Sequence, residues 1–166
     1  MANAATDYRF LFKYGGGLDL LLGLQSQNPR ARGEGSVNPV RVLVARTGDQ
    51  TRAVLYQPKA SGSPAENRTV FASPVGEVTF DVVREVSSQI VLVQNEGVYT
   101  VKIPLNVLGW QPQSGQTYRA DLGLLRGNGA QTLQRVYWNN RDTAIVSDLP
   151  SEARLRPENW GWWKVR

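Results

Sequence analysis

The chain of 166 residues has no cysteine, no histidine, a single methionine and only four lysines. Without cysteine there is no disulfide framework, no thiolate nucleophile and no thiolate-bound zinc or iron–sulfur cluster. Without histidine, a Ser-His-Asp triad, an imidazole base and histidine-ligated zinc all fall away. Met1 as the sole methionine argues against a methionine-ligated haem. Chemistry is left to carboxylates, Arg, Lys and Tyr, with no cofactor expected beyond a structural calcium bound through oxygen. Asp19, Asp121 and Asp142 are its candidate ligands, although no EF-hand spacing is present. No apolar run approaches the ~20 residues of a membrane span. The segment 1–7 has neither the basic nor the apolar region of a signal peptide, so none is expected in this chain.

What is present is ordinary globular composition, 41% hydrophobic and 20% charged, at a length suited to one domain over 1–166. The formal charge is +5, and 15 of the 19 basic residues are Arg. Guanidinium pairs bidentately with carboxylate, phosphate or sulfate and stacks on aromatic rings. An anionic partner therefore suits the composition, while the scattered placement of the charges equally suits a solvated surface.

The patterning is that of strands and turns. Tyr8, Phe10, Phe12 and Tyr14 alternate with other residues at strand period, and Leu18 to Leu24 reads as a strand buried on both faces. Gly15-Gly16-Gly17 lies between them and reads as a kink, because it lacks the Lys-Ser/Thr and the strand-to-helix context of a phosphate loop. A long loop is expected over 28–39. Hairpins are expected around Gly48-Asp49, Asn95-Glu96-Gly97 and Gly127-Asn128-Gly129, with further strands near 70–72, 77–83 and 161–165. Asn106 to Gly109 suggests one helical turn closed by glycine. Asp148 ahead of Pro150 suggests a short helix, with Glu152 as a capping-box partner. The fold class that follows is all-β: an antiparallel, jelly-roll-like β-sandwich with one or two short helical turns.

Four of the five tryptophans fall in the last 29 residues, among Asn, Asp, Glu and Arg. Aromatic faces beside planar hydrogen-bonding groups match a sugar, which offers apolar C–H patches and many hydroxyls. The candidates are Trp110, Trp138, Trp162 and Trp163 for stacking, and Asn139, Asn140, Arg141 and Glu158 for hydrogen bonds. Trp162 and Trp163 are adjacent on an expected strand and so face opposite sides. Each Trp has a plain alternative as core filler, and each polar residue one as a loop tie. Asp148, Glu152 and Arg154 complete the polar set, the first two serving mainly the helix start.

Several segments together resemble the family 9 carbohydrate-binding modules and their DOMON-like relatives. These are Phe12-Lys-Tyr-Gly-Gly-Gly-Leu-Asp-Leu-Leu-Leu-Gly, Arg41-Val-Leu-Val-Ala with Ala53-Val-Leu-Tyr, and Tyr99-Thr-Val-Lys-Ile-Pro-Leu-Asn-Val-Leu-Gly. Gly115-Gln-Thr-Tyr-Arg-Ala-Asp-Leu-Gly, Arg135-Val-Tyr-Trp-Asn-Asn and Ser147-Asp-Leu-Pro-Ser-Glu-Ala-Arg-Leu-Arg-Pro-Glu-Asn-Trp-Gly complete the order. The resemblance implies a sandwich that binds sugar between tryptophan faces without transforming it, in an extracellular or periplasmic, bacterial setting, as part of a larger secreted carbohydrate-active protein. It makes Trp110 stand out, since the family often has a smaller apolar residue there; an exposed platform is expected at that position. Tyr14-Gly15-Gly16 departs from the family's Thr-Gly-Asp and lacks its carboxylate. Family members also carry strands upstream of the first matching segment, so a homodimer or strand exchange through an uncovered sheet edge is a further expectation.

The expected partner is thus a poly- or oligosaccharide, including acidic ones. The rival readings are a ligand-free structural or oligomerisation domain, a glycosidase built on Asp142, Asp148, Glu152 or Glu158, and a single-stranded nucleic-acid binder. Scattered Arg and few Lys weaken the last. Asn67-Arg-Thr is a glycosylation sequon that matters only in a eukaryotic secretory route.

Overall fold

The structure, a computed structural model, describes residues 1–29, 37–143 and 148–166. Most of the loop expected over 28–39, and Ser147 of the last motif, lie outside the described residues. Among the described residues the strands are β1 (Gly17–Gly23), β2 (Pro39–Thr47), β3 (Gln50–Gln57), β4 (Thr69–Ser73), β5 (Gly76–Phe80) and β6 (Val82–Glu85). They continue as β7 (Val91–Asn95), β8 (Val98–Lys102), β9 (Thr117–Gly127), β10 (Thr132–Tyr137) and β11 (Gly161–Lys164), with short helices α1 (Leu105–Leu108) and α2 (Leu149–Ala153). All named strand pairs are antiparallel, and the chain is an all-β, sandwich-like fold.

Seven strands form one sheet in the order β10-β9-β1-β2-β3-β6, with β11 also on β9; β4-β5 and β7-β8 are separate hairpins. Alternation along β2 explains the layering. Val40, Val42 and Val44 point to one side, where they pack with Ile90 and Leu92 beside the β7-β8 hairpin, with Tyr99 and Val101 against them. Leu43 and Ala45 point to the other, where they join Phe71 and Phe80 of the β4-β5 hairpin, Leu11, Phe12 and Tyr56. The central strands are covered on both faces, which is why β2 reads as a nearly unbroken apolar run.

Two expectations are corrected. The aromatic alternation over 8–14 is not a strand: Tyr8–Phe10 forms a 3-10 turn capped by the Asp7 carboxylate, which accepts the Arg9 backbone N–H at 2.9 Å. That local bond offers the backbone an alternative to a strand ladder. The rings serve packing instead, with Phe71 5.6 Å from Phe10 and 5.5 Å from Phe12. The single strand expected over 77–83 is divided at Asp81, whose carboxylate accepts the Ala60 N–H at 2.9 Å and meets Arg68 at 3.0 Å. The chain thereby passes from the β4 partner to the β3 partner.

Among the described residues, the face carrying β7-β8 is uncovered over β9 and β10. Leu122, Leu124, Val136 and Trp138 stand exposed there in one stripe, since β9 and β10 pair Leu124 with Val136 and the Trp138 N–H donates to the Leu122 carbonyl.

Candidate functional site

On the opposite face the same strands carry charge. Asp19 on β1 and Arg41 on β2 sit two residues out of direct register, on the same face, and form a bidentate pair, with Nε–Oδ1 at 2.9 Å and Nη2–Oδ2 at 2.6 Å. Both are fully buried, and the Arg41 guanidinium lies 5.3 Å from the Phe12 ring and 5.6 Å from that of Tyr56. Burial opposes the charge on Arg41, but Asp19, together with Tyr137 and Tyr56, outweighs it and holds the guanidinium above its ordinary value. The Tyr137 hydroxyl, from β10, donates to Asp19; burial first and Asp19 second push this phenol well above its usual value.

A second buried pair lies alongside. Arg135 of β10 donates from Nη2 to Glu152 of α2 at 2.8 Å and to the Phe12 carbonyl at 3.0 Å. Lys13 approaches the other Glu152 oxygen at 3.8 Å, and Arg41 Nη1 donates to the Glu152 carbonyl at 3.4 Å, joining the two pairs. Glu152 is therefore a buried counter-ion and not the capping-box partner expected; Asp148 alone caps α2, accepting the Ser151 N–H at 3.1 Å.

This network forms one wall of a cleft of about 200 Å³, lined also by Asn140, Asp142, Ser151, Arg154 and Arg156. Its loop wall hangs from Asp121, a fully buried carboxylate that accepts the backbone N–H groups of Leu122, Asn139 and Asn140 at 2.9, 3.0 and 2.7 Å. The Asn140 side chain then accepts the Asp142 N–H at 2.9 Å, and Asp142 meets Arg156 at 2.7 Å. Arg154 makes one long contact, 3.4 Å to the Glu77 carbonyl.

Of the eight ligand-binding residues proposed from sequence, Asn140 alone lines this cleft. Trp138 and Trp163 come together on the other face, centroids 6.4 Å apart, with Trp138 70% exposed. Trp162 lies under the Arg119 guanidinium, 3.8 Å from its ring centre, and keeps 38% of its surface open. Asn139 donates to the Asn159 carbonyl at 2.9 Å, while Arg141 and Glu158 are exposed. Trp110 is not a free platform: it packs against the first core, edge-on to Tyr118 at 5.1 Å, and its indole N–H is buried without a partner.

Sequence reasoning passed over Arg41, Arg135 and Tyr137. The signal was available: a lone Asp in Leu18-Asp-Leu-Leu-Leu and a lone Arg in Val40-Arg-Val-Leu-Val, on strands buried on both faces, must find each other. Asp19 and Asp121, considered for calcium, use their oxygens on Arg41, Tyr137 and backbone N–H groups. Among the described residues no three Asp or Glu side chains converge as a metal would require, and no helix is long and apolar enough to cross a membrane. Compared with family models, curated proteins and solved structures, the chain matches none.

Proposed function

We propose that the protein binds carbohydrate without transforming it, as a module of a larger secreted protein, and that the cleft between β10, α2 and the loop after Trp138 holds the sugar. One observation carries this reading: a single-residue-sized hollow of about 200 Å³ whose walls are rich in planar or hydroxylic hydrogen-bonding groups held in place by buried partners. Sites for small polar ligands are of this kind, concave and largely preformed, with few but fixed polar groups. The carboxylates facing the cleft favour binding over hydrolysis. Glu152 is tied to Arg135 and Lys13 and Asp142 to Arg156, whereas a glycosidase needs one carboxyl free to hand a proton to the leaving group.

The test is calorimetric titration with a panel of neutral and acidic oligosaccharides, using the wild type and an Asn140→Ala variant. Saturable binding that weakens in the variant supports the reading. A folded protein that binds nothing in the panel overturns it.

A second reading, a structural domain that self-associates, is favoured by the stripe of Leu122, Leu124, Val136 and Trp138, since contiguous exposed apolar surface marks contact sites. A concentration-dependent dimer in sedimentation velocity, abolished by Leu124→Lys, would support it. A monomer at all concentrations would remove it.

A further inference from the structure

We infer that the cleft is built for a carboxylated sugar, a uronic acid residue, rather than a neutral one. This rests on the reading of the cleft as the glycan site. In and immediately behind its walls five cations, Lys13, Arg41, Arg135, Arg154 and Arg156, meet four carboxylates, Asp19, Asp142, Glu152 and Asp148, the last of which holds Ser151 and faces Lys13. The pairing leaves positive charge over. Asp19 satisfies Arg41, Asp142 satisfies Arg156, and Glu152 is shared between Arg135 and Lys13. Among the described residues Arg154 has only a carbonyl.

A second, independent observation concerns Arg135. Its side chain is 7% exposed, and its Nε is buried with no hydrogen-bond acceptor. A buried donor left unpaired is costly and calls for an explanation such as a bound water or ion. Arg135 lines the cleft beside the surplus charge. An incoming carboxylate supplies what Arg154 lacks, two acceptor oxygens in a plane, the complement of its guanidinium fork, with the buried charge of Arg135 behind it. Sugar hydroxyls would then meet Asn140, Ser151 and the Asp142 carboxylate.

The site is too small and too local for a polyphosphate track. Nucleic-acid grooves follow a backbone with repeated cations and stacked aromatics, and here this cluster of charge lines a single hollow of about 200 Å³.

The experiment is titration calorimetry of the wild type with trigalacturonic acid, its methyl ester and a sulfated galactose oligosaccharide, each at low and high salt. The double variant Arg154→Gln/Arg156→Gln is titrated in parallel; both positions are exposed, and circular dichroism and melting verify its fold. The acid is expected to bind roughly tenfold more tightly than the ester, with the advantage shrinking as salt screens the charges and vanishing in the double variant. Equal binding of acid and ester overturns the carboxylate assignment while leaving the glycan reading in place. So does stronger binding of the sulfate ester, or an advantage that survives loss of both arginines. If no sugar binds to the folded wild type, both readings fall together.

Discussion

Tyr137 occupies the space that a side chain on Gly123 would need. The two residues are register partners on β10 and β9, and a Cβ built on Gly123 would stand 2.4 Å from the tyrosine ring. The missing side chain lets the ring lie flat on the sheet, which delivers its hydroxyl to Asp19. Gly123→Ala is expected to displace the ring and to cost about 1–3 kcal/mol, as overpacking does. Tyr137→Phe keeps the ring but removes a hydrogen bond to a buried carboxylate and should cost about 1.5–3 kcal/mol. Urea denaturation of both variants measures the two losses; a silent Gly123→Ala would mean that the ring has room to move.

The Arg41–Asp19 pair is expected to behave as a buried ion pair. Arg41→Met alone leaves Asp19 without its counter-ion and should cost about 3–5 kcal/mol, while adding Asp19→Leu should recover much of the loss. The same denaturation series measures the coupling. Additive losses in the double variant would show that the two side chains do not act as a unit.

Burial holds the phenols of both Tyr56 and Tyr137 well above the ordinary 10.0 of tyrosine, with Asp19 adding to the rise and Arg41 opposing it. The folded chain keeps two protons that the unfolded chain releases near that pH. Their contribution to stability is therefore complete below pH ~10 and is lost as pH rises beyond it. Ultraviolet phenolate titration should show two of the six tyrosines ionising only as the fold is lost, with the step reduced in Tyr137→Phe. All six titrating together in a folded protein would contradict the burial of these two rings.

Trp110 and Trp138 should respond in opposite ways to truncation. Trp110→Ala removes a ring packed on Tyr118 and the first core and should cost on the order of 2–4 kcal/mol. Trp138→Ala, at a residue 70% exposed, should stay within about 0.5 kcal/mol. Thermal melts of the two variants separate them. A stable Trp110→Ala would restore that residue as a candidate binding platform.

Much of the fold was legible because its signals are local. Hydrophobic runs bounded by Gly48-Asp49, Glu96-Gly97 and Asn128-Gly129 locate three hairpins, and Gly109 closes α1 as its position suggested, with φ 66. The stretch 8–14 was misread because a two-residue aromatic period also arises when a capped turn presses its rings into a core, and only the Asp7 cap distinguishes the two. The site was harder to see because it depends on which sheet face is covered. Trp138 and Trp163 meet only because β11 joins the same strand as β10, and Arg135 meets Glu152 only because α2 packs over that face. Residue type alone drew attention to the tryptophans, whereas the cleft is organised by arginines paired across strands that are distant in sequence.

β9 holds β10 along residues 123–127 and β11 along residues 117–120. The chain leaves the sheet after Tyr137 and rejoins it at Gly161 on the same strand, so the segment supplying Asn140, Asp142, Arg154 and Arg156 is a panel clipped at both ends to a single support. Such a panel can exchange its side chains without re-laying the sheet beneath it. The residues lining the cleft are free to vary while Asp19, Arg41 and Asp121 keep the frame in place.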